Sequence, residues 1–131
     1  AQSHHIPLYI EIVEKINHIN LNPIEITRII GILMDNAIEA SKSITNPMIR
    51  LAFIKQEDSV LIVLINKIDQ SEPIKLHEIY QEGYSTKEEN QGLGLTIVRN
   101  IVNRCANVSL NTKIHSHHFI QELEIKNEVT T

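Results

Sequence analysis

Between Asn22-Pro23 and Asn46-Pro47 the chain carries one long helical stripe. Ile26, Ile29, Ile30, Leu33, Ala37 and Ala40 recur at the spacing that gathers side chains on one face of an α-helix. Asn22 suits the cap, and Pro23 suits the first helical position, where a missing N–H costs nothing. The helix is predicted to run to about Ser43, and Asn46-Pro47 closes the region. A helix with one dry face must lie on a second layer, so the rest of the chain has to supply it.

That layer reads as strands. Leu8 to Val13 is short and rich in β-formers. Ile49-Arg50-Leu51-Ala52-Phe53 alternates as a half-buried strand does, and Gln56 to Ser59 is a polar turn. Val60 to Ile65 is a continuous apolar run, predicted as a central strand covered on both faces. Leu95, Val98, Ile101, Val102 and Cys105 form a second helical stripe. Val108–Thr112 and Phe119–Ile125 are the last strands, joined by Ile114 to His118. About five strands in a mixed sheet and two to three helices predict an α/β fold, a two-layer sandwich. The chain is expected to be a single domain over 1–131, with an ordered core at 6–126 and a frayed tail. Asn66 to Gln91 breaks the pattern apart from a short helical patch at Ile74 to Ile79, and so long a connection points to function or mobility.

Composition excludes several classes. With 12 basic and 16 acidic residues the net charge is −4, which argues against a nucleic-acid binder, since that needs a basic face. The lone Cys105 allows no internal disulfide and fits a reducing compartment. The longest apolar run is Val60 to Ile65, far short of the ~20 residues of a membrane span.

Two places stand out chemically. Asn36 falls on the apolar face of the first helix, with Ile29, Ile32, Leu33 and Ala40 as helical neighbours. A carboxamide desolvated there without a partner costs roughly 1–3 kcal/mol. It is either satisfied by a backbone group or it serves as an oxygen ligand for Mg²⁺, which takes few protein ligands besides phosphates and water. Gly92-Leu93-Gly94-Leu95 precedes the second stripe. Glycines at the start of a helix let phosphate approach unpaired N–H groups, although such a segment is also a common tight turn. Ile97 stands where a dinucleotide fingerprint needs a third glycine, and no Gly-Lys-Ser/Thr is present for a P-loop.

Together, Asp35-Asn36-Ala37-Ile38-Glu39-Ala40, a buried strand, Gly83-Tyr84-Ser85-Thr86-Lys87 and Gly92-Leu93-Gly94-Leu95 form an ordered set. The set resembles the catalytic and ATP-binding (GHKL/HATPase) domain of a sensor histidine kinase, over nearly the whole chain. Within that family, Arg28 to Ser41 and Gly83 to Lys87 are most similar to the peptide-pheromone, quorum-sensing kinases of the AgrC/ComD type. The resemblance implies a Bergerat-type fold, ATP and Mg²⁺ as ligands, and transfer of the γ-phosphoryl group to a histidine on a separate dimerisation domain, then to a response regulator. It implies that Asn36 holds the metal and that Asp35 or Glu39 orients a water or the metal shell. Asn66 or Asp69 would meet adenine, with Ile68 and Leu95 lining its pocket. A lid at 80–92, with Ser85, Thr86 and Lys87, would close on the nucleotide, and Gly92, Leu93 and Gly94 would cradle the phosphates. The domain would be the cytoplasmic part of a membrane-anchored, dimeric kinase whose dimerisation and sensor regions lie outside these 131 residues.

The chain departs from the family pattern in three places. Ile32 stands where many such kinases have a second Asn, the Asp-x-Gly-x-Gly box is absent after Ile65, and Gln91 replaces a basic residue. Two alternatives therefore stay open: an ATPase of the same superfamily without histidine kinase activity, or an interaction domain that binds no nucleotide. His77-Glu78 reads as part of the lid, not as a phosphoacceptor, and His115, His117 and His118 read as a solvated turn.

Overall fold

The computed structural model describes residues 5–16, 18–68 and 89–127, and of 89–93 the backbone only. Its elements are β1 (Leu8–Ile12), α1 (Pro23–Ser41), β2 (Ile49–Lys55), β3 (Ser59–Lys67), α2 (Glu89–Arg104), β4 (Val108–His115) and β5 (His118–Lys126). The five strands form one sheet in the order β1-β2-β3-β5-β4. β1 runs parallel to β2, and every other pair is antiparallel. The mixed α/β sandwich expected from the sequence is the fold.

The local signals act as read. Asn22 caps α1 by accepting the Ile24 N–H at 2.8 Å. Pro23 is the first helical residue, and the helix ends at Ser41, two residues before the expected Ser43. The β4–β5 connection is tighter than expected: His115 pairs with His118, and Ser116 and His117 make the turn with φ of 49° and 62°. Two successive left-handed residues match the right-handed strand twist, which is why two-residue hairpins use them.

One face of the sheet carries the core. Ile49 and Leu51 of β2, Val60, Ile62 and Leu64 of β3, and Leu123 and Ile125 of β5 pack against Ile29, Leu33 and Ala37 of α1 and Leu95, Val98 and Ile101 of α2. The expectation that β3 is covered on both faces is corrected here. Both described helices lie on one side, so Leu61 and Ile65, pointing the other way, are only half-buried. Ala52 and Val63 on that outer face are buried by their strand neighbours, which explains why the run reads as uniformly apolar.

Three contacts set the polarity of the sandwich. Lys67 Nζ donates to Asn46 O at 3.0 Å, which places the chain just after α1 at the Lys67 end of β3. Glu25 in the first turn of α1 pairs with Arg104 in the last turn of α2 at 3.2 Å. Val108 N–H donates to Cys105 O at 3.2 Å, so α2 finishes over the Val60 end, where Val108 and Val60 flank Ile125. The helices are therefore antiparallel. α1 ends, and α2 begins, at the end of the sheet marked by Asn66.

Candidate functional site

Asn36 is the anomaly of α1. Its Nδ2 is buried and has no hydrogen-bond partner among the described residues. Buried amides are nearly always paired, so an orphan calls for an explanation outside the fold's own bonding. Helix geometry places Asn36 one turn after Ile32, and Ile32 touches α2: a Cβ built on Gly94 would lie 3.1 Å from Ile32 Cγ2. Because the helices are antiparallel, one turn beyond Ile32 on α1 lies toward the first turn of α2. Asn36 thus faces the start of the second helix.

That start differs from the sequence expectation. α2 begins at Glu89, so Gly92 closes its first turn and Gly94 lies in its second. The N–H groups that a helix leaves unpaired belong to its first residues, ahead of Gly94. Gly94, expected as part of the phosphate cradle, stands one turn further into the helix than the sequence suggested. Gly94 has a packing role, allowing α1 and α2 to approach where a side chain would meet Ile32. The free N–H groups that could meet an anion fall at the beginning of α2, and the dipole of the helix favours negative charge at that point.

The floor of the same end is the last part of β3. Asn66, expected just beyond the strand, lies inside it and is 2% exposed. It shares the face of Leu64, Ile62 and Val60, the face that carries the helices. Its Nδ2 donates to Lys67 O at 3.2 Å. Beside it, on β5 and β4, sit two residues the sequence reading missed: Thr112 Oγ1 donates to Gln121 Oε1, and Gln121 is 5% exposed. A signal for them existed. Phe119, Gln121, Leu123 and Ile125, and Val108, Leu110, Thr112 and Ile114, are the inward positions of two alternating strands, and each set contains a polar member.

Other expected residues fall less centrally. Asp35 is exposed, and Glu39 is half-buried and paired with Lys42 at 3.0 Å. Ile68, just past β3, is half-buried and donates its N–H to His117 O at 3.0 Å, which ties the end of β3 to the hairpin turn. Leu95 belongs to the core at 7% exposed. Asp69, Ser85, Thr86, Lys87, His77, the helical patch at Ile74 to Ile79 and the lid up to 88 lie outside the described residues, as do the surroundings of Gly92 and Leu93. Among the described residues no three His, Cys, Asp or Glu side chains converge as a metal site, and no helix is long and apolar enough to cross a membrane.

The arrangement can do one thing well. It offers a carboxamide without a partner, the N-terminus of a helix and a buried polar floor at one end of an otherwise apolar sandwich. These are groups for a ligand with an anionic part and a flat polar part.

The comparisons agree with this geometry. Residues 21–126 match the family model described as the GHKL domain, and the chain belongs to that family. No curated protein matches it in sequence. Among solved structures, the chain is similar to the catalytic domain of histidine kinase ThkA, with a TM-score of 0.76 and 21% identity over 95% of this chain and 82% of that one. It is also similar to ThkA in complex with the response regulator protein TrrA, with a TM-score of 0.75 and 21% identity over 94% of this chain and 34% of that one. Acinetobacter baumannii histidine kinase AdeS matches with a TM-score of 0.73 and 12% identity, over 94% and 55%. At these identities the likeness is one of fold.

Proposed function

We propose that this GHKL-family chain is the ATP-binding catalytic domain of a sensor histidine kinase, which binds Mg²⁺ and ATP and donates the γ-phosphoryl group to a histidine on a separate dimerisation domain. The observation that carries the reading is the buried, unpartnered Nδ2 of the half-buried Asn36 side chain, toward the start of α2. No hydrogen bond among the described residues fixes which end of that carboxamide faces the site, and its oxygen is the kind of ligand Mg²⁺ takes. The residues present therefore fit the ion. When bound, it would neutralise phosphate charge, which together with positioning is most of what phosphoryl transfer asks of a protein.

In this reading Asn36 is the metal ligand, and the first turn of α2, with Gly92 and Leu93, meets the phosphates. Asn66 faces adenine, with Ile68 and Leu95 at the edge of its pocket. Asp35 and Glu39 act on the metal's water shell, Glu39 after release from Lys42. Asp69, Ser85, Thr86 and Lys87 meet the nucleotide as the lid closes. The acceptor histidine and the response regulator belong to partners, and a kinase of this fold has been solved with a response regulator. The likeness of Arg28–Ser41 to pheromone kinases supports a peptide-sensing, membrane-anchored parent protein with this domain in the cytoplasm.

Isothermal titration with a non-hydrolysable ATP analogue and Mg²⁺ tests the nucleotide site, and binding that depends on both is expected. Absence of binding would favour the interaction-domain reading, to which the lost carboxylate box lends some weight. Transfer of label from ATP to a separately added dimerisation domain tests the kinase assignment. Nucleotide binding without transfer would leave an ATPase of the same family.

A further inference from the structure

The two edges of the sheet are finished differently. β4 closes one edge, and its exposed side chains are all polar: Ser109, Asn111, Lys113 and His115. Lys113 is held by Glu122 at 3.1 Å. Polar and charged side chains along an edge keep further strands from adding to it. β1 closes the other edge with Leu8, Tyr9, Ile10, Glu11 and Ile12, every one of them exposed. Ile10 and Ile12 are 62% and 63% exposed. The layering is the cause. Leu8, Ile10 and Ile12 pair with Ile49, Leu51 and Phe53, so they share the side of the sheet that carries the helices. The cover that buries Ile49 and Leu51 stops one strand short of them.

The backbone of this edge is as open as its side chains. Val13 N–H donates to Phe53 O at 3.1 Å, and Pro7 O accepts from Ile49 N–H at 3.0 Å. Backbone groups of successive strand residues point to opposite sides. Tyr9 and Glu11 therefore bond β2 as Pro7 and Val13 do, and the N–H and C=O of Leu8, Ile10 and Ile12 face away from the sheet. Among the described residues no strand lies beyond them. Each of these residues presents one donor and one acceptor, a row that is its own complement when turned end for end.

The register of such a pairing follows from the side chains. Centred on Ile10, Ile10 meets Ile10, Leu8 meets Ile12, and Tyr9 lies opposite Glu11, so the whole strand is used. Centred on Glu11, that carboxylate would face its own copy, and like charges directly opposite are destabilising. Centred on Tyr9, Ile12 would fall opposite Ile6, which lies outside the strand.

We propose that β1 is a self-association edge: a second copy of this chain adds its β1 antiparallel to this one, about a twofold axis at Ile10, and the sheet continues from one copy into the other. Leu8 of the second copy then comes beside Ile12, at the rim of the apolar groove lined by Ile16, Leu21, Ile26 and Phe53. The proposal does not depend on the nucleotide reading. A seam of one short strand falls below the about 800 Å² per partner of a standard interface, so the dimer is weak and concentration-dependent.

Light scattering of the chain from about 10 μM to about 1 mM, the span in which a weak dimer forms, is the test. The mass should rise toward that of two chains. Ile10→Lys sets like charges opposite each other at an exposed position, and should weaken association at least about tenfold with the Tm unchanged. In a Cys105→Ser background, Ile10→Cys should form a disulfide between copies on mild oxidation, since residues paired in this way lie about 5.5 Å apart at Cα. Ile12→Cys should not, because its counterpart is Leu8. A wild type that stays monomeric throughout, a dimer indifferent to Ile10→Lys, or no preference for Ile10→Cys over Ile12→Cys would overturn the proposal. If the variants do not fold, hydrogen exchange of the wild type decides. The amides of Leu8, Ile10 and Ile12 should be unprotected in dilute protein and slow as concentration rises. Protection already present at low concentration would mean that another part of the same chain covers the edge, and it would overturn the proposal, as would exchange that stays fast at every concentration.

Discussion

α1 and α2 cross the same face of the same sheet, yet the two ends of the sandwich are made of different chemistry. At the end where α1 begins, the interior is Val60, Val108 and Ile125, at 2%, 6% and 0% exposed. The polar groups there are paired: Ser59, 4% exposed, donates to Gln56 Oε1 at 2.8 Å, Asn107 Nδ2 to Asn20 O at 2.8 Å, and Asn20 Nδ2 to Asn127 O at 2.8 Å. At the end where α1 finishes, Asn66 and Gln121 are buried, and Asn36 and Thr112 are half-buried beside them. A side chain kept only for stability would be satisfied by its neighbours, and Asn36 Nδ2 has no partner among the described residues. The first end holds the domain together, and the second is held ready for something else. An open groove of about 550 Å³ does lie at the first end, lined mostly by apolar side chains such as Ile12, Ile16, Leu21, Ile26 and Phe53, with His18 beside them.

If this division is right, changes at the first end should alter stability and leave binding alone. The largest effect belongs to the core. Leu123→Ala, at a position 1% exposed, should cost about 2–5 kcal/mol in chemical denaturation. The folded fraction should bind the ATP analogue as the wild type does. Gly94→Ala comes next, at the helix–helix crossing. Helix propensity favours alanine by about 1 kcal/mol, but the new methyl would meet Ile32 Cγ2 at 3.1 Å. A β-branched side chain on a helix has one strongly preferred χ1 rotamer and yields poorly. A net loss of about 1 kcal/mol is expected, abolished in an Ile32→Ala background; an unrelieved loss in the double variant would show that Gly94 matters for another reason. Asn22→Ala removes the α1 cap and should lower stability by about 1 kcal/mol, seen as a lower Tm with unchanged nucleotide affinity. Smallest is Arg104→Ala. Its ion pair with Glu25 is largely solvated, so thermal denaturation should detect less than about 1 kcal/mol.

The same division explains what could be read from the chain. α1 was legible because its signals are local: Asn22 caps, Pro23 fixes φ, and the isoleucines keep a helical period. β3 was legible as a strand from its β-branched run, but not its one-sided cover, because the outer face is shielded by strand neighbours such as Ala52 that no local window connects to it. The strand order was not legible either. β5 lies between β3 and β4, and that pairing brings residues about sixty apart together. Asn36 stood out because a polar residue on a helical stripe is visible in a dozen residues. Gln121 and Thr112 did not, because a polar residue in a strand is ordinary until the register reveals that it points inward beside Asn66. The packing of Gly94 against α1 was not legible either, because it depends on Ile32, a residue of the other helix.

The central claim is that the amide of Asn36 is kept for a ligand and not for the fold. Asn36→Ala, followed on one sample by thermal denaturation and by titration with Mg²⁺ and a non-hydrolysable ATP analogue, tests it most directly. Removing a buried donor that has no partner should leave the Tm unchanged or slightly raised, while Mg²⁺-dependent binding is lost. A variant that melts early yet binds normally while folded would contradict the account, because Asn36 would then be a core residue.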